Sequence, residues 1–99
     1  MDLDLHFEEA NFDSTEGMTA LRIYAQDLFL SESPEAIRGK LGGFVNTIYF
    51  SDSKVVGVTS VDYSEDYLGN AVLEYMAVDE AEQGQGLGGA ILGIKKHGV

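Results

Sequence analysis

The chain has 99 residues, 44% of them hydrophobic, which is enough for one small domain with a single core. Its formal net charge is −11, and such a surface repels nucleic acid, because binding a phosphate backbone requires clustered Lys and Arg. The absence of Cys rules out disulfides, thiolate metal sites and cysteine nucleophiles. The sequence contains neither an apolar run long enough for a membrane helix nor a visible export signal, so we expect a cytoplasmic protein.

The first half of the chain predicts one strand and two helices. Apolar and polar residues alternate from residue 3 to residue 7, a period-two pattern that predicts a strand. Ser14 then precedes apolar residues at helical spacing, which predicts an amphipathic helix over about residues 16 to 30. Ser33-Pro34 marks the start of a second, short helix, because Ser is a good N-cap and Pro suits the first turn. Two glycines end this helix at residue 42.

The second half predicts three strands and a final helix. Residues 44 to 50 and 55 to 63 are rich in β-branched and aromatic residues and flank a polar turn, so they predict a hairpin. Residues 71 to 78 predict a third, largely apolar strand. An acidic link and a glycine-rich loop follow, and an apolar stripe predicts a helix from residue 87 to about residue 96. The order β-α-α-β-β-β-α indicates an α+β fold, an antiparallel sheet with packed helices, in a single domain over residues 1–99.

Residues 83 to 88, which we call the glycine loop, join the last predicted strand to the final helix. The first N–H groups of a helix have no internal partner and carry partial positive charge, so a loop of this kind can hold phosphate groups. Glycines at positions 84, 86 and 88 would let a pyrophosphate approach the backbone closely. The alternative is a tight strand-to-helix turn that binds nothing. Because a strand, an acidic link and an amphipathic helix surround the loop in that order, we interpret it as a phosphate site.

Two better-known phosphate motifs do not fit the glycine loop. A P-loop needs Lys and then Ser or Thr after its last glycine, whereas Gly88 is followed by Gly89-Ala90. A dinucleotide fingerprint matches the spacing of Gly84, Gly86 and Gly89. However, only about ten residues remain after it, too few for the next strand and its ribose-binding acid.

Metal binding and serine catalysis are not indicated. His6 and His97 are the only histidines, and no further ligands with suitable spacing accompany them, so we expect no metal site. No serine nucleophile is predicted, because Ser31, Ser33, Ser51 and Ser53 stand in turn or helix-cap contexts.

Residues 73 to 92 resemble the signature of the GCN5-related N-acetyltransferase (GNAT) superfamily. That signature is an apolar strand ending in Ala-Val-Asp, then (Arg/Gln)-x-x-Gly-x-(Gly/Ala), then an amphipathic helix. Its three defining positions are filled by Gln83, Gly86 and Gly88. Residues 48 to 58 resemble the family's second and third strands and the turn between them. The resemblance implies the N-terminal portion of a GNAT-like fold, truncated after the signature helix.

The resemblance implies a binding site for acetyl-CoA as co-substrate. The residues that it assigns to cofactor binding through the backbone are Met76, Ala77 and Val78 for the pantetheine arm, and Gln83, Gly84, Gln85, Gly86, Leu87 and Gly88 for the pyrophosphate. It also assigns Glu74 as the general base that deprotonates an acceptor amine. Strand alternation predicts that the Glu74 side chain shares a face with Met76 and Val78. The alternative for Glu74 is an ordinary exposed strand carboxylate.

The sequence thus predicts an acyl-CoA-binding, GNAT-like protein that transfers an acetyl group to an amine if the cleft is completed by another subunit, as in a homodimer, or by a protein partner. An exposed edge of the strand over residues 71 to 78 would allow that pairing. The alternative prediction is a non-catalytic acidic interaction or inhibitor protein, of a kind that phages encode. Such a protein would keep the fold and use its charge to bind a basic protein.

Overall fold

The computed structural model describes residues 5–63, 72–84, 86 and 88–91. In this part of the chain the elements are, in order, β1 (Leu5–Glu9), α1 (Thr15–Asp27), α2 (Pro34–Leu41), β2 (Val45–Ser51), β3 (Lys54–Asp62), β4 (Val72–Val78) and a 3₁₀ turn (Glu80–Glu82). Residues 88–91 are helical, and the rest of the predicted final helix lies outside the described residues. The predicted α+β class and its element order are confirmed.

Both helices begin at the predicted caps. Ser14 Oγ accepts a hydrogen bond from the Gly17 N–H at 3.0 Å, and Ser33 Oγ accepts one from the Ala36 N–H at 3.2 Å. These side chains satisfy helix N–H groups that otherwise have no partner. Pro34 occupies the first turn of α2, where its missing N–H is not needed.

Helix α1 ends at Asp27 and not near residue 30. The N–H groups of Leu28 and Phe29 both donate to the Tyr24 carbonyl, at 2.9 and 2.8 Å, which closes the last turn. Ser31 then takes φ of 77°, a value that a helix cannot accommodate. The apolar pattern therefore continues past the point at which the backbone leaves the helix.

The four strands form one antiparallel sheet in the order β1-β2-β3-β4, so β4 lies at an edge of the described sheet. The predicted hairpin joins β2 to β3 through a turn in which Asp52 and Ser53 have φ of 51° and 67°. The first strand continues to Glu9, beyond its predicted end, because residues 5–9 all pair with β2. Residues 3 and 4 of the predicted strand lie outside the described part of the chain.

The two faces of the sheet are covered differently. Helices α1 and α2 pack on one face, where Tyr24, Ile37 and Ile48 belong to the larger buried cluster. On the other face Ile91, from the helical segment after the glycine loop, packs against Tyr49, Val56 and Val78. The sheet therefore lies between α1 and α2 on one side and the helical segment at residues 88–91 on the other. No helix within the described residues has the length and apolar character needed to cross a membrane.

Candidate functional site

The chain turns sharply between β4 and the helical segment at residues 88–91. Asp79 Oδ1 accepts a hydrogen bond from the Ala81 N–H at 3.2 Å, which caps the 3₁₀ turn. Gly84 and Gly86 then have φ of 86° and 77°, a conformation that side-chain-bearing residues rarely adopt. The Ala90 N–H donates to the Gly86 carbonyl at 3.1 Å, a bond with helical i to i−4 spacing. Turns of this kind bring successive backbone N–H groups into a concave surface suited to anions.

A cavity of about 330 Å³ opens beside the glycine loop. It is lined by the end of α1, the end of β4 and the loop, through Asp27, Val78, Glu82, Gln83, Gly84, Gly86 and Gly88. A Cβ atom added to Gly84 or Gly86 would meet no atom within 4 Å, so the backbone conformation, and not crowding, requires glycine there. The backbone at these two positions is therefore open to a ligand.

Gln83, the first of the three defining positions of the predicted signature, ties the glycine loop to the end of β4. Its Nε2 atom donates to the Val78 carbonyl at 3.1 Å and to Asp27 Oδ1 at 2.9 Å. The other oxygen of Asp27, Oδ2, accepts a hydrogen bond from the Val78 N–H at 3.1 Å. Asp27 is not among the residues that the sequence predicts for the site. The signal that could have found it is a carboxylate in the last turn of a helix, where the dipole disfavours negative charge.

The cavity is acidic. Among the described residues that line it, Asp27 and Glu82 are acidic and none is basic. Lys54 Nζ lies 3.3 Å from Glu82 Oε1, and because the Lys54 side chain is exposed to solvent this ion pair contributes little to stability. A ligand phosphate would have to rely on backbone N–H groups of the glycine loop and the start of the helix. The described residues contain no group of three or more His, Asp or Glu that could hold a metal ion.

Glu74 lies where β4 bulges in its pairing with β3. Its neighbours Leu73 and Tyr75 are opposite consecutive residues of β3, so Glu74 is the extra residue of the bulge. Its side chain is exposed. A bulge breaks the alternation of side chains along a strand. The shared face with Met76 and Val78, predicted from alternation, therefore no longer follows from strand geometry.

Tyr24 of α1 fixes the backbone next to this bulge. Its hydroxyl lies 2.7 Å from Ser60 Oγ and donates to the Tyr75 carbonyl at 3.2 Å, and these two residues form the strand pair beside the bulge. Ser60 also donates to Asn46 Oδ1, so the network extends to the start of β2. Burial raises the pKa of the Tyr24 hydroxyl well above its ordinary range, which keeps it a neutral hydrogen-bonding group.

The structure brings most of the predicted cofactor residues to one place. The cavity lining includes Val78, Gln83, Gly84, Gly86 and Gly88. Ala77 is buried in the cluster under α1 and α2, and Met76 is half-buried on the opposite face. Gln85 and Leu87 lie outside the described residues. Glu74 does not line the cavity.

Solved acetyltransferases share this fold. The chain matches the ribosomal-protein-S18-alanine N-acetyltransferase from Escherichia coli with a TM-score of 0.64 and 22% identity, over 89% of this chain and 54% of the enzyme. It matches the ribosomal-protein-alanine N-acetyltransferase from Brucella melitensis biovar Abortus 2308 with a TM-score of 0.67 and 17% identity, over 96% and 70%. It matches the aminoglycoside acetyltransferase meta-AAC0020 from an uncultured soil metagenomic sample, in complex with sisomicin, with a TM-score of 0.66 and 19% identity, over 93% and 67%.

These matches define the structural class: the chain has a GNAT-like fold, as the sequence resemblance predicted. It spans about half the length of the Escherichia coli enzyme, 54%. No family model matches the sequence, and no curated protein matches it.

Proposed function

We propose that this chain binds acetyl-CoA, or a related acyl-CoA, in the cavity beside the glycine loop. The observation that carries the proposal is the left-handed backbone at Gly84 and Gly86, which follow β4 and the 3₁₀ turn in a GNAT-like fold. Backbone N–H groups in such a loop and at a helix start suit a pyrophosphate, and they need no Lys or Arg. The proposed phosphate ligands are the backbone amides of residues 83–88, including Gln85 and Leu87.

The end of β4 is the proposed contact for the pantetheine arm. The N–H and carbonyl of Val78 are already bonded to the side chains of Asp27 and Gln83. Met76 is the next residue whose backbone groups point to the same edge of the strand, because these groups alternate along β4. We therefore propose that the pairing centres on Met76, with Ala77 and Val78 beside it.

Transfer of the acetyl group to an amine is the proposed reaction. Bound acetyl-CoA would supply an acetyl group activated as a thioester. Glu74, exposed at the bulge of β4, is the proposed general base that takes a proton from the acceptor amine, because only the neutral amine is nucleophilic. Because β4 lies at an edge of the described sheet and such an edge can pair with another chain, we propose that a second copy or a protein partner completes the cleft, in the cytoplasm.

Isothermal titration calorimetry with acetyl-CoA and with CoA tests the binding. The wild-type chain should bind both, and no heat of binding at millimolar ligand would overturn the proposal. Gly86→Ala should weaken binding about tenfold, because a left-handed conformation costs other residues about 1–2 kcal/mol and 1.4 kcal/mol is a factor of ten. Gly43→Ala is the matched control, since Gly43 is equally exposed and open around its Cα but has no positive φ.

Release of free thiol from acetyl-CoA in the presence of candidate amines tests the transfer. Glu74→Gln keeps the size of the side chain and removes its basicity, so it should abolish thiol release while leaving CoA binding unchanged. A Glu74→Gln variant that releases thiol at the wild-type rate would remove Glu74 from this role.

The net charge of −11 supports a second candidate function, an acidic interaction or inhibitor protein of the phage-encoded kind that binds a basic protein. The carboxylates of Asp27 and Glu82 in the cavity lining favour it as well, because they repel anionic ligands. Affinity capture from cells separates the two functions. The second function predicts that wild type and Gly86→Ala retain the same basic protein equally, and that neither binds acetyl-CoA.

A further inference from the structure

Asp27 occupies a position that helix electrostatics alone disfavours. It is the last residue of α1, and the last turn of that helix contains no basic side chain. A carboxylate at a helix C-terminus faces the negative end of the helix dipole, which is unfavourable. Local rules of this kind are most often broken at sites where another contact or a function compensates.

The compensating contacts join three elements. Asp27 Oδ2 accepts a hydrogen bond from the Val78 N–H at 3.1 Å, and Asp27 Oδ1 accepts one from Gln83 Nε2 at 2.9 Å. The same Gln83 nitrogen donates to the Val78 carbonyl at 3.1 Å. One carboxylate thus holds the last residue of β4 and the first residue of the glycine loop together. Both hydrogen bonds to the carboxylate span more than fifty residues of sequence (51 and 56), so no local pattern produces them.

These contacts lie at the edge of β4 that faces away from β3. The next residue, Asp79, donates its N–H to the Val56 carbonyl on β3, at 2.9 Å, so the N–H and carbonyl of Val78 point to the opposite edge. Without Asp27 the Val78 N–H would lack this partner, and Gln83 would keep a single hydrogen bond to the strand end. The path of the chain from β4 into Gly84 would then be less constrained.

We propose that Asp27 is a positioning residue of the cofactor site: it holds Val78 and Gln83 so that the glycine loop is preformed for a pyrophosphate. This inference rests on the proposed function. Asp27 also lines the cavity, so its charge repels an anionic ligand. Positioning and charge therefore predict opposite effects when the charge is removed. Charge alone predicts tighter binding, and positioning predicts weaker binding.

Glu82 provides the matched control. It lines the same cavity and carries the same charge, but its carboxylate pairs with Lys54 at the surface. Glu82→Gln removes a negative charge beside the ligand and frees Lys54. Binding of CoA to this variant should be tighter, because a negative charge in the cavity lining is removed.

Calorimetric titration with CoA at fixed ionic strength tests the inference on wild type, Asp27→Asn, Asp27→Ala and Glu82→Gln. Asp27→Asn keeps an acceptor for the Val78 N–H but presents an amide to Gln83, so it should weaken binding about fivefold or more, and Asp27→Ala should weaken it further. In ¹H–¹⁵N NMR spectra, the Gln83 side-chain amide should move towards the shifts of exposed glutamines in Asp27→Asn, while the amides paired between β3 and β4 keep theirs. If Asp27→Ala does not fold, the nearly isosteric Asp27→Asn decides.

The possible failures are distinct. If wild type binds CoA and Asp27→Asn binds it equally or more tightly, positioning by Asp27 is overturned and the proposed function stands. If wild type does not bind CoA at all, the proposed function fails and the inference fails with it. Weaker binding by Asp27→Asn, together with tighter binding by Glu82→Gln, supports the inference.

Discussion

The helical segment after the glycine loop packs closely against Gly57 of β3. A Cβ atom on Gly57 would lie 2.6 Å from Ile91 Cδ1 and 3.2 Å from the Ala77 carbonyl oxygen. Ile91 is fully buried, at 0% exposure, and packs against Tyr49 and Val56. Gly57→Ala therefore forces the Ile91 side chain, which belongs to the helical segment at residues 88–91, out of its position.

The expected cost of Gly57→Ala is about 1–2 kcal/mol in the free energy of unfolding. Forcing an extra methyl group into a packed core costs about 1–3 kcal/mol. The atom that it meets, Ile91 Cδ1, is the flexible end of a side chain, and moving such a side chain off its rotamer costs only about 0.5–1.5 kcal/mol. Ala is also favoured over Gly in a strand by about 0.5–1 kcal/mol, which offsets part of the cost.

Urea denaturation of wild type, Gly57→Ala, Ile91→Val and the double variant measures this contact. Ile91→Val alone should cost about 0.5–1.5 kcal/mol. Because it removes the Cδ1 atom, adding Gly57→Ala to it should cost close to nothing, which gives a coupling energy of about 1 kcal/mol or more. Equal costs of Gly57→Ala in the two backgrounds would refute the close approach of helix and sheet.

Two further predictions concern single side chains. Tyr24→Phe should lower the free energy of unfolding by about 1 kcal/mol in urea denaturation, because it removes a buried hydroxyl bonded to Ser60 and Tyr75; an unchanged unfolding midpoint would contradict the network. Arg38 lies 2.9 Å from Asp13 and lowers the pKa of that carboxyl, through its hydrogen bond and then its charge. The stabilisation from this pair is present above the ordinary pKa of 3.8 and is lost as pH falls through the lowered value. Arg38→Gln should return the Asp13 pKa to its ordinary value in an NMR titration. Identical Asp13 titration curves in wild type and Arg38→Gln would show that the ion pair does not form in solution.

Signals that act over a few residues determined much of this protein from the sequence alone. Ser14 and Ser33 mark the helix starts because a cap bonds to an N–H three residues later. The polar turn around Asp52 and the β-branched and aromatic residues on either side of it predicted the hairpin, since the two strands are adjacent in the chain. The glycine loop was found in the same way, because the left-handed backbone at Gly84 and Gly86 requires glycine itself.

Only the tertiary structure decided which distant groups meet at the site. Asp27 bonds to Val78 and Gln83 across more than fifty residues (51 and 56), and the bulge at Glu74 arises from how β4 pairs with β3. Neither leaves a periodic trace in the sequence. A cap or a turn is specified by its own neighbours, whereas the carboxylate at the cavity and the position of the candidate base depend on packing a helix and two strands together. The sequence therefore located the glycine loop, and the folded chain supplied the residue that holds it against β4.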